Sequence, residues 1–446
     1  MKAQLCAAVV VLSCSLAAGQ QYKVLSSFAG SPNDGDTPLS NLTFDHSGNL
    51  YGTTRFGGSA TASCSRGCGT VFKLSSNGNG SWTETVLYSF CQSAGNPCAD
   101  GVYPEAGLLL DAQGNLYGST YSGGSQPCPF LGSGCGTIFK LSPSPGAVWN
   151  ETVLYDFCSD NVGGQCLDGA LPISQLTADA SGNLYGTTST GGTGGDAGAC
   201  CAGGTVFELS HSKGGWSESV IYNFCANGGP ICPDGVGPQA GVKFDQAGNL
   251  YGTTERGGAP KSAGAGAIYQ LSPGPSGWTE TVLLADRYPF HAASGPLGAV
   301  SFDALGKIYT TFGGGGPNNA GGVVKLVPGG RHKLFWFNGK DGNEPTAGVL
   351  VDSKNSALYG TTSGGGFIGG TVFKISSPAQ ETVLYTFCSQ PSCTDGLDPV
   401  ASLVKDKSGN LYGTTKLGGA NNLGVVFEIV QSLPEQKEYQ RQSSKR

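Results

Sequence analysis

The pentapeptide Leu50-Tyr51-Gly52-Thr53-Thr54 decides the fold of this 446-residue chain, because close relatives of it recur along the sequence. The tyrosine of each copy marks its place: Tyr51, Tyr117, Tyr185, Tyr251, Tyr309, Tyr359 and Tyr412. Spacings of 66, 68, 66, 58, 50 and 53 residues are longer than most solenoid repeats and leave room for four strands per copy. We therefore predict an all-β fold, a single seven-bladed β-propeller with four antiparallel strands in each blade.

The composition agrees with short strands joined by tight turns. The chain has 75 glycines and one methionine, and only 13% of its residues are charged. A net charge of −6, with 25 Lys plus Arg spread thinly, leaves no basic stripe for a row of phosphates. We therefore expect neither nucleic acid nor an anionic membrane surface as a partner.

Each repeat contains four strand signals. A short apolar segment comes first, and its continuous apolar character predicts an innermost strand buried on both faces; the segments are 39–45, 106–111, 173–179, 240–245, 298–303, 347–352 and 401–406. A D-x-x-G-N turn then leads into the pentapeptide strand. We interpret the tyrosines as packing between blades in preference to a sugar-stacking ring, and the glycine as a place where a neighbouring blade's side chain approaches.

The two ends of the repeat array complete one another. Residues 22–28, YKVLSSF, match a fourth strand that has no first three strands before it. The last copy stops at GVVFEIV, residues 424–430, with no fourth strand after it. We therefore predict that the N-terminal strand joins the last blade and closes the ring, which removes two exposed sheet edges.

The N-terminus has the pattern of a secretory signal. Lys2 precedes an apolar stretch, and Ala17 and Gly19 are small residues suited to cleavage before Gln20. We expect a signal peptide at 1–19, a propeller at 20–430 and a polar tail at 431–446, with no transmembrane segment. The expected location is secreted, extracellular or periplasmic, and the expected state is a monomer.

Fourteen cysteines beyond the signal fall into local couples. The couples are Cys64 with Cys68, Cys91 with Cys98, Cys128 with Cys135, Cys158 with Cys166, Cys200 with Cys201, Cys225 with Cys232, and Cys388 with Cys393. Disulfides are favoured over zinc, because C-x-x-C spacing is absent and the histidines do not accompany the couples. Cys200 and Cys201 are the doubtful couple, since a vicinal bridge is strained.

Candidate ligand groups are few. A D-G-x-x-P motif recurs at Asp34, Asp100, Asp168, Asp234, Asp341 and Asp395, where a calcium or glycan ring competes with the favoured interpretation as a backbone turn. Arg287, Tyr288 and His291 replace the disulfide loop of one unit and form a candidate ligand loop, with repeat decay as the plainer explanation. No known catalytic motif is present, so we predict no catalytic residues, no cofactor and no metal site.

The whole unit, D-x-x-G-N-L-Y-G-T-T, G-G, G-T-V-F-K-L and W-x-E-T-V-L-Y-x-F, resembles the bacterial GloVer, or choice-of-anchor, tandem-repeat family over residues 22 to about 430. The unit is more loosely similar to kelch repeats. The resemblance implies an exported bacterial protein of unknown activity, often held by a C-terminal sorting signal; the polar tail of this chain carries none. The favoured function is a binding or scaffold module for a protein or polysaccharide, and the alternative is a carbohydrate-active or lyase-type enzyme with its site at the central mouth.

Overall fold

The computed structural model describes residues 21–61, 64–92, 98–194, 203–226, 232–258, 265–285, 295–327, 330–376 and 379–431. These residues form seven four-stranded antiparallel sheets arranged as the seven blades of a propeller. The predicted fold class is therefore confirmed. The expected signal peptide lies outside the described residues. The described part of the chain contains no helix with the length and hydrophobicity that crossing a bilayer requires.

The blades are numbered 1 to 7 in chain order. Their inner strands are Thr43–Phe44, Leu109–Leu110, Thr177–Ala178, Lys243–Phe244, Ser301–Phe302, Leu350–Asp352 and Val404–Lys405. The second strands are Leu50–Thr54, Leu116–Thr120, Leu184–Thr188, Leu250–Thr254, Ile308–Phe312, Ala357–Thr362 and Leu411–Thr415.

The third strands are Thr70–Ser76, Thr137–Ser144, Thr205–Ser212, Ala267–Gly274, Gly322–Val327, Thr371–Ser376 and Val425–Val430. The outer strands are Trp82–Ser89, Val148–Asp156, Gly215–Asn223, Gly277–Ala285, Gly330–Trp336, Gln380–Thr386 and, for blade 7, Gln21–Ser27. Two short two-stranded sheets pair Gly35–Asp36 with Phe56–Gly57 and Asn161–Val162 with Gln165–Cys166, and a 3-10 turn covers Pro391–Cys393.

The ring closes as the ends of the sequence predict. Gln21–Ser27 pairs antiparallel with Val425–Val430, from Gln21 opposite Val430 to Ser27 opposite Val425. Phe28, next along the chain, is fully buried in a cluster with residues of blade 1. The first described strand therefore supplies the outer edge of the last blade.

The pentapeptide strand builds the wall between blades. The Tyr117 hydroxyl donates to Asp111 Oδ2 at 3.1 Å, and the ring packs edge-on against Trp216 of the next blade, with centroids 6.4 Å apart. In the first blade, the Thr53 hydroxyl donates to the carbonyl of Ala106 in the next blade's inner segment at 3.0 Å. These contacts support the interpretation of the repeated tyrosines as packing residues.

The motif glycine makes room for a different group than the sequence suggested. A Cβ placed on Gly118 would lie 2.6 Å from Cζ of Phe139, which is the facing residue on the third strand of the same blade. The expectation that a neighbouring blade fills this space is therefore wrong. Blade 5 has a compensating exchange, because Thr310 replaces the glycine and faces the smaller Val324.

The inner strands are shorter than the predicted segments, and one side of them is not buried in protein. Blade 1 pairs only Thr43 and Phe44 with the second strand, because the Ser40 hydroxyl accepts from the Thr53 amide at 2.9 Å in place of a ladder bond. Alternate inner residues line a central channel. The expectation of strands buried on both faces is therefore wrong.

Candidate binding site

In the part of the chain that the structure describes, six disulfides lie on one face of the disc, which we call the loop face. It collects the loops that join second to third strands and the loops that join each outer strand to the next blade. The bridges are Cys64–Cys68, Cys91–Cys98, Cys128–Cys135, Cys158–Cys166, Cys225–Cys232 and Cys388–Cys393. The disulfide prediction is confirmed for these couples, whereas Cys200 and Cys201 lie outside the described residues.

Neighbouring bridges also pack against each other. The sulfurs of Cys64, Cys68, Cys91 and Cys98 all lie within 4.8 Å of one another, and Cys135 Sγ is 3.7 Å from Cys166 Sγ. These sulfurs are paired as disulfides, so they are not free thiolates for the alternative zinc site. Each bridge therefore closes its own loop and also packs against the bridge of the neighbouring loop.

The aspartates of the D-G-x-x-P motif hold the loop-face turns. Oδ2 of Asp100 accepts from the Cys91 amide at 2.8 Å and from the Tyr88 hydroxyl at 2.9 Å. The other five accept local backbone amides in the same way: Asp34, Asp168, Asp234, Asp341 and Asp395. These contacts agree with the interpretation as turn residues.

Each of several such aspartates also faces a glutamate from the outer strand of the following blade, which the sequence did not reveal. Burial, with the charges of Asp100 and Asp156 adding to it, raises the pKa of Glu151 to about 8. Equivalent residues are Glu84, Glu218, Glu280 and Glu381, and their pKa values are raised for the same main reason. Their repetition in five units marks them as part of the blade interface.

The mouth of the central channel is surrounded by residues in a strained backbone conformation. The residue before the motif proline has a left-handed φ in Thr37 (60°), Tyr103 (60°), Leu171 (58°), Glu344 (55°) and Asp398 (62°). A non-glycine residue is uncommon there, and a following proline disfavours helical conformations further. Blade 4 has Gly237 instead. The left-handed geometry thus repeats in six blades with varied side chains, whereas Gly295, before Pro296 of blade 5, does not adopt it.

An arginine and aromatic cluster, which we call the Arg55 cluster, marks one sector of this mouth. Arg55 Cζ lies 5.2 Å from the Phe56 ring centroid, 5.8 Å from that of Tyr103 and 5.9 Å from that of Tyr121. Cζ of Arg66, the fifth member, lies 4.3 Å from the Phe56 centroid. Arginine and aromatic residues are the types that dominate binding hot spots.

Acidic partners fix both arginines of the cluster. Nε of Arg55 lies 3.1 Å from Oε1 of Glu105, although the two atoms are not aligned as a hydrogen bond. Arg66 donates to both carboxylate oxygens of buried Asp36, the shorter contact being 2.8 Å, while its own side chain stays 54% exposed. The arginines are therefore pre-positioned, and Arg66 remains accessible to a partner.

The mouth leads into a cavity of about 510 Å³ that is lined by the inner segments of the blades. A cavity of about 340 Å³ continues it and shares Asn41, Gln175, Lys243 and Ser402. Asn41 Nδ2 donates to Gln175 Oε1 at 3.2 Å, and Asn41 Oδ1 accepts from the Ser402 amide at 2.6 Å. These residues give the channel a polar, asymmetric wall.

The predicted ligand loop, with Arg287, Tyr288 and His291, lies outside the described residues. The Arg55 cluster and the channel residues were missed by sequence reasoning. The signal that could have found them was a departure from the repeat at equivalent positions, such as Arg55 where blade 3 has Ser189.

Several solved structures are similar to this chain at low identity. A chain of the nidogen/laminin complex is 16% identical with a TM-score of 0.38, covering 71% of this chain and 89% of that one. A putative 6-phosphogluconolactonase from Bacteroides uniformis is 13% identical with a TM-score of 0.43, covering 77% and 84%. A putative oxidoreductase (glucose dehydrogenase) from Thermus thermophilus is 13% identical with a TM-score of 0.40, covering 92% and 100%. At these scores the likenesses carry no argument about activity.

The sequence itself places the chain in a family. No curated protein sequence matches it. The family profile described as the Gloeobacter/Verrucomicrobia repeat matches residues 10–201 and 237–440, which together make up most of the chain. The profile covers the same repeated sequence from which the fold was predicted, and the predicted family is confirmed. The chain belongs to the Gloeobacter/Verrucomicrobia repeat family.

Proposed function

We propose that this protein is an exported binding module that holds a polysaccharide or protein partner on its loop face. The observation that carries the proposal is the ring of left-handed residues at the channel mouth. Strained residues with varied side chains tend to gather at ligand sites, because glycine would cost less if only the turn mattered. The disulfides support the proposal in two ways: they suit export, and they fix the loops before a partner arrives.

The Arg55 cluster is the proposed anchor of this face. Its aromatic residues are half-buried, so that part of each side chain packs against protein and part faces solvent: Phe56, Tyr103 and Tyr121. Arg66 offers an exposed guanidinium beside them. Aromatic rings can stack on sugar rings or fill a protein pocket, and an exposed arginine adds hydrogen bonds at the rim.

The alternative, a carbohydrate-active enzyme, has less support in the described residues. Glycoside hydrolysis ordinarily uses two carboxyl groups on opposite sides of the scissile bond. Among the described residues that line the cavity below the mouth, Glu105 is the carboxylate, and it contacts Arg55. Binding is therefore the function that the geometry supports best.

A glycan array probed with the disulfide-intact protein tests the proposal. We expect a glycan ligand to be retained by the wild type and by Lys213→Ala, whose lysine is exposed on the opposite face. Binding should fall about tenfold in Arg66→Ala and in Tyr121→Ala, because each removes part of the anchor. Turnover of any bound polysaccharide, or equal binding by all four proteins, would contradict the proposal.

A further inference from the structure

The channel wall departs from sevenfold symmetry where its polar residues lie. When the inner segments of the seven blades are aligned, two equivalent positions, two residues apart in each segment, face the channel. The first is occupied by Asn41, Gly107, Gln175, Gly241, Ala299, Gly348 and Ser402, and the second by Thr43, Leu109, Thr177, Lys243, Ser301, Leu350 and Val404. Lysine occurs once in these two sets. A group that breaks the repeat in this way is not required for building the fold.

Lys243 is a cation without a partner among the described residues. It lines both parts of the channel cavity, where it remains accessible to water but is surrounded by the wall. No described residue forms an ion pair or hydrogen bond with it, whereas Lys405, on the inner strand of blade 7, lies 2.6 Å from Asp352 Oδ2. Burial lowers the pKa of Lys243. The Lys243 side chain is exposed to the water of the channel and has no counterion among the described residues, so its ammonium group is available to contact a bound anion.

The amides beside Lys243 add hydrogen-bond donors in fixed positions. Gln175 Nε2 donates to the Leu108 carbonyl at 3.2 Å, and Asn41 Nδ2 donates to Gln175 Oε1. Each amide group has two hydrogens, so each keeps one for a ligand. The Asn41 oxygen and the Gln175 oxygen already accept hydrogen bonds. The wall thus offers a positive charge and donors, which suits an anion with several oxygen atoms.

Charges around the cavity favour the same ligand. The acidic residue in its described lining is Glu105 at the mouth, which lies against the guanidinium of Arg55. The deeper part of the cavity is lined, among the described residues, by no acidic side chain. A cavity of about 510 Å³ is within the range of small-molecule sites.

We propose that the central channel binds a small hydroxylated carboxylate, with Lys243 contacting the carboxylate and the amides of Asn41 and Gln175 contacting ligand oxygens. This site is separate from the anchor on the loop face. A small ligand in the channel and a large partner on the face use different side chains, so either proposal can fail without the other.

Isothermal titration calorimetry with glucuronate tests the channel site, with glucose as the neutral probe of similar shape. We expect saturable binding of glucuronate, little binding of glucose and weaker binding at high salt. Lys243→Met should weaken glucuronate binding by about tenfold or more, since a charge-assisted contact is lost. The matched variant Lys213→Met should bind as the wild type does.

Thermal unfolding of the same proteins separates a binding role from a structural one. Removing an unpaired charge that is exposed to the channel should leave the midpoint of Lys243→Met close to that of the wild type. Lys243→Gln serves as a second variant with the same expected loss of binding. Equal glucuronate affinity in the wild type and the lysine variants, or no saturable binding by the wild type, would overturn the proposal. Unchanged glucuronate binding in Arg66→Ala would show that the channel works without the loop face.

Discussion

Two tyrosines of blade 2, four residues apart, show how the wall between blades differs from the mouth of the channel. Tyr117 is repeated in every unit and is buried, with its hydroxyl on Asp111 and its ring against Trp216. Tyr121 follows the same strand and belongs to the Arg55 cluster, and the other blades have arginine, serine, glutamate, glycine or lysine at its position. Repetition therefore marks residues that build the fold, and variation at a fixed position marks residues that the fold does not require.

The largest expected effect comes from a substitution in the second strand, which forms the wall between blades. Gly118→Val should lower the free energy of unfolding by roughly 2 to 3 kcal/mol, because its Cβ would lie 2.6 Å from Cζ of Phe139. Urea unfolding measures the change. Gly132→Val is the matched control, since no atom lies within 4 Å of a Cβ at that exposed loop position, and its effect should stay within about 0.5 kcal/mol. If the two variants lost similar amounts of stability, the close approach of Phe139 to Gly118 would be refuted.

A smaller effect is expected when one disulfide of the loop face is removed. Cys388→Ser with Cys393→Ser opens a bridge between residues five apart, which should lower the free energy of unfolding by about 2 kcal/mol. Thermal unfolding of the double variant against the wild type measures it. The wild type treated with reductant is a second comparison and should lose more stability, because all of its bridges open. A double variant as stable as the wild type would show that this disulfide does not contribute to stability.

The smallest expected effect concerns the acidic pairs between loop-face aspartates and outer-strand glutamates. Because burial raises the pKa of Glu151 from 4.5 to about 8, the folded state holds a proton that the unfolded state releases. This contribution to stability is complete below about pH 4.5 and is lost as the pH rises through about 8. Glu151→Gln should raise the free energy of unfolding at pH 9 by roughly 1 kcal/mol relative to the wild type.

Urea titrations between pH 5 and 9 check the sign of this pH dependence. The exposed Glu344, changed to Gln, is the matched control and should leave the profile unchanged. If Glu151→Gln becomes less stable than the wild type at high pH, then the glutamate is held in its charged form and the account of the acidic pairs is wrong.

Much of the fold could be predicted from the sequence, because a propeller repeats its local contacts. The seven tyrosines predicted the number of blades, and residues 22–28 predicted how the ring closes. The cysteine couples predicted the disulfides of the loop face. The cysteine couples are close in sequence, and the number of blades and the closure follow from counting the repeats and their strands. The family followed from the same repeated letters.

The site could not be predicted as far, since it depends on residues from different blades. The Arg55 cluster joins residues 48 and 66 positions apart, and the contact between Asn41 and Gln175 spans 134 positions. Lys243 looked like one more residue of an apolar inner strand, because alternation toward a channel is hard to see in two paired residues. Glu151 looked like a strand residue until the structure placed it near Asp100.

The most direct test is the difference in free energy of unfolding between Tyr117→Ala and Tyr121→Ala, measured by urea denaturation under one set of conditions. The same side chain is removed from two positions of one blade that are four residues apart, Tyr117 within the second strand and Tyr121 directly after it. The account predicts a loss of about 3 kcal/mol or more for Tyr117→Ala and about 1 kcal/mol or less for Tyr121→Ala. Equal losses, or a larger loss for Tyr121→Ala, would contradict the division between a repeated wall and a variable mouth.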